Sequence, residues 1–198
     1  MSDGTNLVIW ADDLRAAALE EHAQAFEDET GVPVVIQVVA NENLRRHMLA
    51  TEAIMRALAA RLSADAEAWG LAGLAHDADV EQTESDFSRH GLLAAEMLRE
   101  RNVSDDVAHA VAAHNAETGE IADTPLAVAL IAADQLSGLI TAAVLVRPDA
   151  ALAGVQVKSL RKRFRESAFA RGVDRDAIRR CEELGLELEE FLALGLEA

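Results

Sequence analysis

Apolar positions recur at two different periods along this chain, and the change falls near residue 40. Before it, Leu7-Val8-Ile9-Trp10 is a short continuous apolar run and Val34 to Val39 a β-branched one, each of strand length. The residues between carry a helical pattern through Phe26 to about Glu29, which Asp12 or Asp13 can cap and Gly31 and Pro33 end. The expected unit over residues 1–40 is strand–helix–strand. Two parallel strands alone leave open edges, so this unit must find another edge or pair with a second copy as a homodimer.

From Asn41 the apolar period is helical to the end of the chain. Asn43 to Leu62 places Leu44, His47, Met48, Thr51, Met55, Leu58 and Leu62 on one stripe. A second helix is expected after Ser63, read as its cap, and runs to His76. Polar residues from Asp79 to Ser88 predict a loop, followed by a helix from Arg89 to Arg101 and another from Ser104 to His114. Thr124-Pro125 opens the most apolar helix, with proline at its favoured first position. A basic helix follows near Lys158–Phe169, then one capped by Asp174 and closed by Gly185, and a last one over Leu186–Leu196. The expected fold is mainly α, a helical bundle over 41–198 behind a small N-terminal β-α-β appendage.

Thr124 to Val146 is long enough to span a bilayer. Its single charge, Asp134, lies near the middle, where insertion costs about 2.5–3.5 kcal/mol, and neither end carries a basic cluster. The better reading is the central helix of a bundle, with no membrane as partner. Asp134 then needs a buried partner of its own.

Charge narrows the function. Against 35 acidic residues the 198-residue chain has 18 basic ones, a net −17 that repels nucleic-acid backbones, so broad nucleic-acid binding is not expected. Cys181 stands alone, which excludes an intrachain disulfide, and Met1 to Asn6 lack the pattern of a signal peptide. A cytoplasmic location is expected.

The chemistry lies in the histidines and aspartates of the helical part: His47, His76-Asp77, His90, His114 and Asp134, each on or beside a different helix. His47 is on the apolar stripe of its helix, His76 follows Trp69, Ala72 and Gly73, and His114 shares a face with Val107, Ala110 and Val111. All therefore point toward one interior. Buried imidazoles and carboxylates are costly without partners, and a divalent cation partners all of them at once. An adjacent His-Asp pair at a helix end can send two ligands into one site.

These residues carry a resemblance. Arg46-His47-Met48, His76-Asp77-Ala78-Asp79 and Ala133-Asp134-Gln135, in the order H…HD…D, resemble the HD-domain superfamily of metal-dependent phosphohydrolases. The segments NENLRRHMLATEAIMRALA, WGLAGLAHDADVE, RHGLLAAEML, AAHN and RGVDRDAIRRCEELGLELEEF are similar to a subfamily of small HD hydrolases of undefined substrate. The resemblance implies a first metal on His47, His76, Asp77 and Asp134. His90 and His114 match the positions that add a second, with Asp77 as the bridging carboxylate. One or two divalent ions are implied, with Fe, Mn, Mg, Zn, Co and Ni not distinguished. Ala78-Asp79 replaces the Ile-Gly of the signalling dinucleotide phosphodiesterases, which disfavours cyclic-dinucleotide cleavage.

The implied activity is metal-assisted hydrolysis of a phosphate ester, in a small nucleotide or related phosphorylated metabolite. Asp79 and Glu81, just past the metal pair, are candidates to position water or shuttle protons, against the alternative of a solvated acidic loop. Arg46 and Arg89, each beside a presumed ligand, are candidates to contact the substrate phosphate. Two rival readings use the same ligands: a di-iron oxygenase of the HD type, and a non-catalytic interaction module stabilised by its metals.

The remaining residues are read as structural. His109 and His22 are expected on the surface, and Trp10 and Trp69 in the core. The basic run Lys158, Arg161, Lys162, Arg163 and Arg165 is expected to pair with the acidic C-terminal helices. The N-terminal NLVIWADDLRAAALEEHAQAFEDETGVPVVIQVV resembles the opening strand–helix–strand of a periplasmic sugar-type solute-binding protein, from which no transport function follows.

Overall fold

A computed structural model describes residues 7–11, 13–32 and 34–198 and is mainly helical. Near the N-terminus, β1 (Leu7–Ala11) and β2 (Val34–Val38) pair in parallel, Leu7 opposite Val34 and Ala11 opposite Val38, with α1 (Asp13–Thr30) between them in sequence. Gly31 at φ 69° ends α1, its N–H donating to Glu27 O. Asp12 and Pro33 lie outside the described residues, as do the side chains of Asp13 and Trp10. Arg101 Nη1 donates to Val34 O at 3.1 Å, which ties β2 to the helical part.

That part begins with α2 (Glu42–Leu62), capped by Asn41, whose side chain accepts from the N–H groups of Asn43 and Leu44. Met48, Thr51, Ile54, Met55 and Leu58 form its buried face, as the stripe predicts. Ser63 closes α2 in the left-handed conformation, φ 57°, and so is not available to cap the next helix. Asp65 caps α3 (Ala66–Ala75) instead. The two helices approach closely at Gly73, where a Cβ would come 2.9 Å from the Glu52 backbone. Gly73 permits this contact because it lacks that atom.

The stretch expected as a loop over Asp79–Ser88 holds a single helical turn, α4 (Val80–Thr83), and a 3₁₀ turn at Phe87–Arg89. The helix expected from Arg89 starts later, as α5 (Leu92–Glu100), because Gly91 at φ 90° breaks the chain direction first. His90 therefore lies on a turn. Next come α6 (Asp105–Ala113) and α7 (Pro125–Leu145), the latter capped by Thr124 through Ala127 N–H. Among the described residues α7 is the one helix long and apolar enough to cross a membrane, and over half of that stretch is buried inside the protein. It is the central rod, touching α2, α3 and α6 on its alanine-rich faces.

The C-terminal elements close over α7. The basic helix α8 spans Val157–Arg165 and stops short of the expected Phe169. Asp174 caps α9 (Arg175–Arg179), Gly185 ends the 3₁₀ turn that follows it, and α10 covers Leu188–Glu197. Arg161 of α8 pairs with Glu189 of α10, and Arg163 with Glu166, so part of the basic run is neutralised by acidic neighbours. Trp69 is buried, His22 is exposed, and Cys181 is buried with its thiol pushed up to about 11 by burial and then by Glu182.

Candidate metal centre

Four histidine rings meet at the centre of the helical part. His47 comes from the second turn of α2, His76 from the residue after α3, His90 from the turn before Gly91, and His114 from the residue after α6. Asp77 follows His76, and Asp134 projects from the middle of α7. His47 Nε2 lies 3.2 Å from His76 Nε2, and His90 Nε2 lies 3.0 Å from His114 Nε2. Asp77 stands between these two pairs: its Oδ2 is 3.4 Å from His47 Nε2, and its Oδ1 is 3.4, 3.3 and 3.5 Å from the Nε2 atoms of His76, His90 and His114. Asp134 Oδ1 is 2.9 Å from His47 Nε2 and 3.8 Å from His76 Nε2. All six residues expected as ligands are thus in one cluster.

The opposite edge of each ring is held by the protein. His76 Nδ1 donates to Gly73 O at 2.8 Å and His114 Nδ1 to Val111 O at 2.6 Å. His47 Nδ1 bonds Ser137 Oγ at 2.8 Å, and that hydroxyl donates in turn to Asp134 O. His90 Nδ1 donates to Asp79 Oδ1 at 2.7 Å. With every Nδ1 engaged, each Nε2 is left to offer a lone pair to the centre. This is how metal-binding histidines are oriented and their tautomers fixed.

The cluster is electrostatically unbalanced without a cation. Burial opposes charge on His76, but Asp77 and Asp134 outweigh it and raise the ring to about 9. His90 is likewise penalised by burial and raised to about 9 by Asp77 and Asp79. Burial alone would lift Asp77, yet His76, His114 and His90 hold it well below the usual carboxylate range. Asp134 is also held low, by His47 and His76 against burial. Facing Nε2 pairs about 3 Å apart must share protons when no cation is present. Two groups, His47-His76-Asp77 and Asp77-His90-His114, have donor spacing suited to a metal ion, and the nitrogen and carboxylate donors fit one chemically. The residues present fit the implied cation.

Of the four residues expected to be catalytic, three have other partners. Asp79 is fully buried behind His90, where its second oxygen accepts from the N–H groups of Gly91 and Ala94. It positions a ring and caps α5; it is neither a solvated acid nor directed at the centre. Glu81 accepts from the N–H groups of Ala40 and Asn41, joining α4 to the entry of α2. Arg46 is exposed, pairs with Glu42, and lines a cavity that reaches His47. Arg89 is exposed beside His90. Sequence reasoning missed Ser137, which follows Asp134 by three residues and so shares its helix face, and Asn115, whose Nδ2 donates to Phe87 O and His90 O. A polar residue on the ligand face of an otherwise apolar helix was the available signal for Ser137.

The model of the HD domain family matches residues 44–139, a stretch that contains all six clustered ligands. The chain carries an HD domain, and with it the mark of a metal-dependent hydrolase. Among curated proteins it is similar to Ribonuclease Y of Lawsonia intracellularis, 31% identical over 97 residues, covering 49% of this chain and 18% of the relative. It is also similar to Ribonuclease Y of Nitratidesulfovibrio vulgaris, 32% identical over 98 residues, covering 50% of this chain and 18% of the relative. The chain thus spans less than a fifth of the length of these relatives. No solved structure matches. The N-terminal likeness to a solute-binding protein finds no support in these matches.

Proposed function

We propose that this protein hydrolyses a phosphate ester in a small phosphorylated metabolite, using two divalent cations held in the cluster. The observation that supports this most is the convergence of four Nε2 atoms on Asp77, with every Nδ1 already bonded elsewhere. His47, His76 and Asp134 would hold one cation, His90 and His114 the other, with Asp77 bridging them. Four imidazoles against two carboxylates suit a transition metal better than magnesium. Bound there, the cations would lower the pKa of water and neutralise charge developing on the phosphoryl oxygens.

The chain's own residues set the geometry. Ser137 and Asp79 fix the rings of His47 and His90, so that both halves are organised before a substrate arrives. Arg46, one residue from His47 and exposed beside Glu42, is the cation we assign to a phosphate oxygen; Arg89, exposed and adjacent to His90 in sequence, lines neither cavity wall at the cluster and is the second choice. The relatives named Ribonuclease Y act, by that name, on RNA. A small ester is favoured for this chain because its net −17 opposes a long polyanion and the likeness covers so little of those proteins.

The test is metal content followed by turnover. Chelator-treated protein reloaded with Mn²⁺, Fe²⁺, Co²⁺ or Zn²⁺ should bind about two ions per chain and release phosphate from a panel of monoesters. Two bound irons with mixed-valence absorption and dioxygen consumption would replace this reading with the oxygenase. Bound metal without turnover on any ester would leave a metal-stabilised module.

A further inference from the structure

Two cavities flank the cluster, and they differ in chemistry. On the His114 and Asp134 side lies one of about 480 Å³ whose lining includes Glu120, Asp174 and Asp176, and whose one basic residue, Arg180, is already paired with Glu183. On the His47 side lies one of about 870 Å³, within the range of small-molecule sites. Ile54, Ile140, Val144, Leu145 and Leu152 line it, with small residues such as Ala50 and Ala53 between them, and Arg46 is the only Lys, Arg, Asp or Glu side chain among its lining residues. Its rim leaves apolar surface open, with Leu145 71% and Leu152 46% exposed.

We infer that the second cavity takes the alcohol portion of the substrate, and that this portion is an aliphatic chain. The inference rests on the phosphate-ester reading above and narrows it. His47 and Ser137 belong both to the cluster and to the cavity wall, so a phosphate at the cluster leads directly into apolar space. Arg46 meets the charged end at that junction. An anion is repelled from the opposite cavity by its carboxylates. A nucleobase is disfavoured in the apolar one, since no Phe, Tyr or Trp lines it for stacking, its one ring being the cluster's own His47, and few groups could read a base edge. In the reaction the oxygen of water joins phosphorus, the ester P–O bond breaks, and the departing oxygen takes a proton to leave as a long-chain alcohol beside inorganic phosphate.

The experiment uses the full metal-loaded chain and n-alkyl phosphonates from butyl to octyl, which resist hydrolysis, with affinity read by calorimetry. Affinity should rise roughly fourfold per methylene until the cavity is filled. Ala53→Phe and Thr141→Phe, both on helix surfaces that line the cavity, should flatten this rise, while circular dichroism reports that each variant folds. In parallel, phosphate release from butyl and octyl phosphate, from AMP and from a short single-stranded RNA is compared. A flat chain-length profile, or AMP or RNA turned over in preference to octyl phosphate, overturns the aliphatic proposal and leaves phosphate-ester hydrolysis standing. No turnover of any of these esters overturns the underlying reading and this proposal with it.

Discussion

The two halves of the cluster are built by different means. His47 and Asp134 hang on α2 and α7, 21-residue helices packed face to face, and His76 follows α3, which packs closely on α2. His90 and His114 stand at a turn and at the end of a nine-residue helix. The first half is positioned by helix packing, where Gly73 and the alanines of α7 let the rods approach. The second depends on polar buttresses: Asp79 behind His90, and Asn115 holding the carbonyls on either side of the same turn. Packing tolerates small changes by repacking, whereas a buried carboxylate with three donors leaves all of them stranded when it is removed. The two halves should therefore fail differently, and only Asp77 belongs to both.

Asp77→Ala is the largest disruption. It removes the one group within 3.5 Å of every ring and should abolish metal binding in both halves together with any hydrolysis. Metal analysis after dialysis checks this: wild-type content in the variant would remove Asp77 from the centre. Asp79→Ala separates the halves. Leaving His90 Nδ1 and the N–H groups of Gly91 and Ala94 unpaired should cost roughly 3 kcal/mol of stability. Loss of an orienting partner should weaken the His90–His114 half by about 10–100-fold in metal affinity. One ion retained and one lost is the expected stoichiometry, and loss of both in parallel would mean that the halves are a single unit.

The same asymmetry governs what could be seen in the sequence. The helices from Asn41 were legible because their apolar stripes repeat over many turns, and His47, His76, His114 and Asp134 stood out as polar residues among apolar ones, while Asp77 and His90 were marked by the resemblance. Asp79 and Glu81 were legible as acidic residues near the centre, but not in their role. Which way a carboxylate turns depends on Gly91 and on where α5 begins, and a polar run from Asp79 to Ser88 conceals both. Ser63 misled for a related reason: the same residue type suits a cap at either end of a short connection, and its left-handed backbone decides the matter only in three dimensions. The cavity beside His47 was invisible because it is made by residues about 90 positions apart, on α2 and α7.

A smaller effect separates the cluster from its proton-filled counterpart. Without a cation, His76 and His90 keep their protons up to about 9, against an ordinary 6.5. The stability this contributes is complete below 6.5 and is lost as pH rises through 9. Asp77 and Asp134, held low, contribute above their ordinary 3.8 and lose that contribution only as pH falls below it. The cation-free protein should thus weaken between about pH 6.5 and 9, a window in which a bound cation takes over from the protons. Thermal melts of chelated and loaded protein should show the metal-induced rise in Tm widening by several degrees across that window. An increment that stays constant would mean that protons and cation do not compete for these rings.

The smallest effect belongs to a histidine on the same helix as the approach to His114. His109 lies five residues earlier on α6, which turns its ring away from the cluster. It is half-buried rather than fully exposed as expected, with Nε2 3.5 Å from Asp123 Oδ1 and Nδ1 3.9 Å from Glu120 Oε2. These are long contacts to exposed carboxylates, of the kind that contribute at most about 1 kcal/mol. His109→Ala should therefore leave two ions bound and lower Tm by no more than roughly 3 °C. Metal analysis and a melt on one preparation decide it. Lost metal would show that histidines near the cluster act through their number, whereas retained metal shows that position at the helix end, with Nδ1 tied to Val111 O, is what makes His114 a ligand and its neighbour a bystander.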